Sequence, residues 1–230
     1  MIELIKDDNI TCLVLFGSHA TNEASEDSDI DLLGINNSTL RTVRENGKVN
    51  LSLYSFSELM KMAKSGNIFL LHVLLDGVCV FNQQVFNEIK NNFIYKKNYD
   101  IDIATAYYLA RTILSEVDNI SNWPIANKRI SWCVRTILIS ISVEQRNPIF
   151  SKSKLASSCV NTGLCYEDAF SLVDAKSNKN KNTKVLNSLA KFLNYYNNYN
   201  EDIIKKSFSS SIVVSTLDSI LQNGSFYDGQ

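Results

Sequence analysis

Two short apolar segments, one ending in Gly-Ser and the other opening with Asp-x-Asp, constrain the fold more than any other feature of the sequence. Residues 10–16 (Ile-Thr-Cys-Leu-Val-Leu-Phe) run directly into Gly17, and residues 29–35 (Asp-Ile-Asp-Leu-Leu-Gly-Ile) form the second segment. Apolar runs of this length, bounded by turn residues, indicate buried strands. Because side chains alternate along a strand, we expect Asp29 and Asp31 on one face.

Ten polar or small residues separate Gly17-Ser18 from Asp29-Ile30-Asp31. Glycine lets a backbone approach a phosphate without interference from a Cβ atom. A serine hydroxyl and nearby backbone N–H groups can hold phosphate oxygens. Two carboxylates on one strand face can share Mg²⁺, which neutralises a triphosphate and orients it for in-line attack. The pattern therefore favours a site for Mg²⁺ and a triphosphate.

At these residues the sequence resembles the DNA polymerase β-type nucleotidyltransferases, whose minimal members carry Gly-Ser, ten residues and Asp-x-Asp. Gly17, Ser18, Asp29 and Asp31 match that signature position by position. The resemblance implies that Asp29 and Asp31 are catalytic and coordinate the metal. It also implies that Gly17 and Ser18 hold the phosphates of ATP or another nucleoside triphosphate.

One position departs from the family pattern. Members often have a third carboxylate on a neighbouring strand, and the segment Lys48-Val49-Asn50-Leu51-Ser52-Leu53 has Asn50 in its place. An amide oxygen can ligate a cation, so Asn50 is expected to be a metal ligand, but an amide cannot act as a general base. Three alternatives follow. A helical-domain glutamate, Glu116 or Glu144, is the base; a substrate phosphate or water makes a base unnecessary; or the protein binds a nucleotide without turnover.

Two further residues are candidates for phosphate binding. His19 follows Ser18 and could donate to a phosphate, and a role as a surface loop residue fits it equally well. Arg135 lies seven residues after Lys128, about two helical turns, so the two share a helix face. That face could cover the triphosphate from a second domain, and the alternative is an ordinary solvated face.

The rest of the pattern predicts an α+β chain, with a mixed-sheet nucleotidyltransferase domain at residues 1–97 and a helical bundle at residues 98–230 that binds an acceptor or partner. Residues 39–45 and 48–54 flank Asn46-Gly47 and predict a hairpin with a type I′ turn. Further elements are predicted as a helix from Ser55 or Ser57 to about Ala63, a helix at 67–75, a strand at 78–81, and helices at 101–119, 125–145, 151–160, 166–175, 183–199 and 210–222.

Composition narrows the functional class. The 230 residues are 45% apolar and carry a net charge of −1, which disfavours extended nucleic-acid binding because proteins that follow such a backbone are usually basic. Five cysteines without zinc spacing, no signal peptide and no long apolar run indicate a soluble cytoplasmic protein without membrane contact. A homo-oligomer is compatible with the sequence.

The resemblance extends to the layout of kanamycin- and streptomycin-type nucleotidyltransferases. It implies Mg²⁺-dependent transfer of a nucleoside monophosphate, AMP from ATP, to a hydroxyl of a small-molecule or protein acceptor. Minimal members of the superfamily often act as antitoxins that adenylylate a partner toxin, which is a second hypothesis. The third is a nucleotide-binding module without activity, which Asn50 favours.

Overall fold

The computed structural model describes residues 9–26, 28–37, 42–197 and 211–221. The chain divides into two compact units, Met1–Lys97 and Asn98–Gln230. The first combines a sheet with helices and the second is helical, so the predicted α+β class is confirmed.

The first unit is built on a five-stranded mixed sheet in the order β3-β4-β2-β1-β5. Its strands are β1 (Cys12–Phe16), β2 (Ile30–Asn36), β3 (Thr42–Asn46), β4 (Val49–Ser55) and β5 (Val78–Phe81). Strands β2 and β4 pair in parallel, whereas the other neighbours are antiparallel. The predicted strands are therefore present, although residues 39–41 of the expected β3 lie outside the described residues.

Three helices complete the first unit. Helices α1 (Phe56–Lys64) and α2 (Ile68–Asp76) lie between β4 and β5 in the chain, and α3 (Gln83–Asn91) follows β5. As predicted, Ser55 caps α1, since its side chain accepts a hydrogen bond from the backbone N–H of Glu58. Helix α3 was not predicted. Its signal was present, because Phe86 and Ile89 recur at helical spacing and both are buried.

Both faces of the sheet are apolar at its centre. One face packs Val14, Leu33 and Tyr54 against the helices, and the other buries a second cluster that includes Leu32 and Leu51. In β4 the apolar residues Val49, Leu51 and Leu53 alternate with Asn50, Ser52 and Tyr54, and this alternation predicts one apolar face and one polar face. Tyr54, on the second face, is nevertheless buried. A polar position can be buried there because helices cover that end of the strand.

The turn between β3 and β4 differs from the prediction. Its two central residues are Gly47 and Lys48, with Asn46 still paired to Val49 in the ladder. Gly47 has a φ of +59°, and Lys48 is not among the residues with positive φ. This pattern fits a type II′ turn, which needs glycine only at its first central position, rather than type I′.

The second unit contains α4 (Asp100–Ser115), α5 (Trp123–Glu144), α6 (Lys152–Cys159), α7 (Tyr166–Val173), α8 (Thr183–Tyr195) and α9 (Ser211–Ile220). The long helix α5 packs against α4, α6, α7 and α9. Buried Asn127 on α5 donates to the carbonyls of Asn178 and Asn180 and so anchors the loop before α8. Within the described ranges, no helix is both long and apolar enough to cross a membrane.

Candidate nucleotide and metal site

The parallel pairing of β2 with β4 brings the motif residues into one row across the sheet. Asp31 pairs with Phe16 of β1 on one side and with Asn50 of β4 on the other, and Asn50 in turn pairs with Glu45 of β3. Directly paired residues project to the same face of a sheet. Asp31 and Asn50 therefore share a face, level with Phe16, the last residue of β1 before Gly17.

Gly17 and Asp31 are in close contact. Gly17 has a φ of +74°, and a Cβ atom placed on it would lie 2.7 Å from Oδ2 of Asp31. Both the backbone conformation and this contact require glycine. The two halves of the sequence motif, fourteen residues apart, thus meet at this point.

Asn50 and Asp31 are joined by a hydrogen bond. Nδ2 of Asn50 donates to Oδ1 of Asp31 across 3.2 Å, and both side chains are half-buried. An ionised carboxylate can only accept, so the amide must present its nitrogen to Asp31. The two oxygens of Asp31 therefore face different neighbours, with Oδ1 toward Asn50 and Oδ2 toward Gly17.

Asp29 lies one residue before β2 begins and is exposed. Asp29 lies just outside the pairing of β2 with β4. That pairing begins at Ile30, whose N–H donates to the carbonyl of Lys48. Among the described residues, no group of three or more His, Cys, Asp or Glu side chains is arranged to hold a metal ion. The acidic side chains of the motif are Asp29 and Asp31, and the role of Asn50 as a metal ligand stays a prediction.

The loop between the two halves of the motif is held by side chains that bond to its backbone. Nε2 of His19 lies 3.3 Å from the carbonyl of Ser28, and the Ser28 hydroxyl accepts from the N–H of Ser25. Because a carbonyl can only accept, His19 donates through Nε2. His19 ends the short 3₁₀ turn Gly17–His19, and its ring bonds to the residue before Asp29; its predicted role in phosphate binding stays a prediction.

Lys48 gives the loop a second anchor that the sequence did not predict. Its ammonium donates to the carbonyl of Glu26 at 2.5 Å, and its own carbonyl accepts from Ile30. The side chain thus joins the β3–β4 turn to the motif loop. The only signal in the sequence was a lysine at the turn two residues before Asn50.

Arg135 lies in the helical unit, where its guanidinium Nη2 donates to the carbonyl of Phe150 at 3.3 Å. It lies on α5, as predicted, with Lys128 exposed two turns earlier on the same helix. The contact with Phe150 gives Arg135 a role within the helical unit. Its predicted role in phosphate binding stays a prediction.

Both glutamates considered as the base have structural contacts in the helical unit. Oε1 of Glu144 accepts a hydrogen bond from the backbone N–H of Tyr99, directly before α4. Oε2 of Glu116 accepts from the side chain of Asn119 just after α4. Each carboxylate therefore has a partner that accounts for its position without reference to catalysis.

The strand order, the Gly17–Asp31 contact and the paired polar row all lie in the N-terminal unit, where the sequence motif predicted a nucleotidyltransferase-type domain. Residues 1–88 match the model of the family described as polymerase beta, nucleotidyltransferase. The match covers 88 of the 230 residues, and this part of the chain is similar to the family that the sequence motif resembles.

The remaining comparisons give no further support for the fold or the function. A solved structure of a nucleotidyltransferase-like protein from Exiguobacterium sibiricum 255-15 is similar over 94% of this chain and 85% of that chain, at 10% identity and a TM-score of 0.34. A TM-score of that size is too low to support the fold assignment. Comparison with curated proteins finds no match.

Proposed function

We propose that the protein is a nucleotidyltransferase that transfers a nucleoside monophosphate, AMP from ATP, to a hydroxyl group of a small molecule or protein. The observation that carries the proposal is the contact between Gly17 and Oδ2 of Asp31 in the part of the chain that is similar to this family. It brings a backbone suited to phosphate next to a carboxylate suited to a hard cation.

The residues at the motif fit Mg²⁺. The carboxylate oxygens of Asp29 and Asp31 are the ligand type that Mg²⁺ prefers, and the positive φ of Gly17 leaves its backbone uncovered by a Cβ. Asp29 and Asp31 would hold the ion, and Gly17 and Ser18 would hold the β- and γ-phosphates. Mg²⁺ would neutralise the charge that builds up on the phosphates during transfer.

In the proposed reaction the acceptor oxygen attacks the α-phosphorus of ATP. The bond from that phosphorus to the bridging oxygen breaks, pyrophosphate leaves, and the hydroxyl proton passes to a phosphate oxygen or to water. The protein contributes mainly position and charge, as expected for phosphoryl chemistry. Asp31 is held from both sides, by Asn50 and by contact with Gly17, so it is already oriented before substrate binds.

The test uses ATP labelled at the α-phosphate, with Mg²⁺ and a panel of small-molecule and protein hydroxyl acceptors. Transfer of the α-label with equimolar pyrophosphate release supports the proposal, whereas transfer of a γ-label would indicate a kinase. The double variant Asp29→Ala, Asp31→Ala is the control and should release no pyrophosphate. Labelling of a protein acceptor instead of a small molecule would favour the antitoxin hypothesis.

A second candidate function is nucleotide binding without turnover. Asn50 favours it, since the amide bonded to Asp31 cannot take a proton from the acceptor. Saturable binding of ATP and Mg²⁺ that is lost in the double variant, with no pyrophosphate released by any acceptor, would support this function over transfer.

A further inference from the structure

We propose that this site binds one divalent cation with the nucleotide, on the Gly17 side of Asp31, and that Asn50 closes the position where a second cation would bind. The inference rests on the proposed nucleotide site and concerns the number of cations in it. Transfer centres of this chemistry commonly use two cations about 3.5–4 Å apart. The described residues of this chain provide ligands for one cation.

The first argument is the orientation of Asp31. Its Oδ1 accepts from Nδ2 of Asn50, while its Oδ2 lies on the side of Gly17. A cation bridging Oδ1 and position 50 would meet the N–H hydrogens of the amide, which carry partial positive charge. The β4 side of Asp31 therefore repels a cation, and the Gly17 side presents a carboxylate oxygen.

The second argument is the charge of the donor set. Asp29 and Asp31 supply two negative charges beside those of the triphosphate, one fewer than a site with a third carboxylate would supply. Two such cations repel each other strongly at the separation of a two-metal site, and additional carboxylates normally offset that repulsion. The described part of the chain offers no third acid at this place, since no group of three His, Cys, Asp or Glu side chains is arranged for a metal.

Glu45 is the acid closest to this row by strand pairing, but it does not replace the missing carboxylate as a ligand. It pairs with Asn50, so it lies two strands away from Asp31, roughly 9.6 Å between Cα atoms at the usual strand spacing. Asn50 stands between the two acids. The side chain at position 50 therefore decides whether the β4 side of Asp31 is negative.

The experiment counts Mn²⁺ ions bound per chain by equilibrium dialysis, with the same saturating concentration of free non-hydrolysable ATP analogue on both sides of the membrane, so that Mn²⁺ held by free analogue cancels. Mn²⁺ takes the same oxygen ligands as Mg²⁺. Wild type should bind one ion per chain and Asn50→Asp should bind two. Asn46→Asp is the matched control, since it makes the same chemical change in the same hairpin but pairs with Val49, on the opposite face, and should stay at one.

Two ions in wild type, or one ion in a folded Asn50→Asp variant, would overturn the inference. The wild-type count tests it even if Asn50→Asp fails to fold, which circular dichroism would reveal. If wild type binds neither the analogue nor Mn²⁺, the proposed function fails and this inference fails with it. Two ions in wild type together with pyrophosphate release would leave the proposed function standing and remove only the single-cation inference.

Discussion

Oδ2 of Asp31 lies 2.7 Å from the point where a Cβ atom on Gly17 would stand. Gly17→Ala should therefore displace the carboxylate and also strain a backbone with a φ of +74°. We expect a stability loss of about 1–2 kcal/mol from the left-handed conformation, together with a large loss of affinity for the ATP analogue with Mn²⁺. Thermal melting and analogue titration measure the two effects.

Gly47→Ala is the matched control for this substitution. Gly47 has a φ of +59° but no atom within 4 Å of the position of a Cβ. It should lose a similar amount of stability and keep its affinity for the analogue. Equal affinity of Gly17→Ala and wild type, measured well below both melting temperatures, would contradict the role assigned to the Gly17–Asp31 contact.

Asp31→Ala and Asp29→Ala should each lower cation-dependent nucleotide binding and any transfer rate. We expect a loss of at least about 100-fold, since removing even an outer partner of a metal ligand costs about 10–100-fold. Isothermal titration with Mg²⁺ and the analogue provides the measurement. Asp218→Ala, an exposed aspartate on α9, is the control and should behave as wild type. A normal titration for Asp31→Ala would place the cation elsewhere.

Lys48→Met should release the motif loop from the β3–β4 turn, because the ammonium of Lys48 donates to the carbonyl of Glu26. A hydrogen bond from a charged donor contributes about 1.5–3 kcal/mol when well formed. Hydrogen exchange at residues 20–28 should accelerate while exchange in the buried strands stays unchanged. Lys64→Met, at an exposed position on α1, should change neither. Unaltered exchange in the loop would show that the anchor is unimportant.

Glu144 offers a test of the base hypothesis made from sequence. Its carboxylate accepts from the N–H of Tyr99, and Gln at this position retains an acceptor oxygen while it removes the base. Glu144→Gln should keep both stability and transfer rate. Glu144→Ala should lose about 1–3 kcal/mol, because it leaves a backbone donor unpaired. A stable Glu144→Gln variant with abolished pyrophosphate release would instead identify Glu144 as the base.

The cysteines should differ in reactivity. Burial raises the pKa of the Cys12 thiol to about 12 and that of Cys159 to about 11, and it also raises the pKa of Cys133. The thiolate is the reactive form, so at pH 8 these three should react with a maleimide only on unfolding, whereas exposed Cys165 should react at once. Mass spectrometry of labelled peptides gives the order in which the cysteines react.

The same pKa values predict a dependence of stability on alkaline pH. A folded-state pKa above the unfolded value of 9.0 means that the folded protein holds the proton more tightly. The stabilisation from Cys12 is complete below pH 9 and is lost as pH rises toward about 12. Cys12→Ala should show a smaller fall of the urea midpoint over that interval, and an identical fall would contradict the effect of burial.

Local patterns predicted the elements well because they depend on neighbouring residues. Short apolar runs bounded by turn residues identified β1 and β2, and Ser55, one of the two predicted caps, marks the start of α1. Helix α3 was missed, although Phe86 and Ile89 showed its period, because the surrounding residues are polar and suggested a linker. The motif residues were found because Gly17-Ser18 and Asp29-x-Asp31 carry a recognisable spacing.

Contacts between a side chain and a distant backbone could not be predicted. Glu144 accepts from Tyr99 across 45 positions, and Lys48 reaches Glu26 across 22. Any carbonyl or N–H can serve in such a bond, so the partner leaves no mark in the sequence. The contact between the His19 ring and the carbonyl of Ser28 was unpredicted for the same reason, and the predicted phosphate contact of His19 stays a prediction.

The two anchors of the motif loop make its tolerance of substitution asymmetric. Both end on carbonyls, at Ser28 and Glu26, and every amino acid supplies a carbonyl, so these acceptor positions can change identity and keep their bonds. The donors are the side chains of His19 and Lys48, so these two residues cannot be replaced without loss of the bonds. Selection can therefore vary the side chains at Glu26 and Ser28, while His19 and Lys48 preserve the path of the chain.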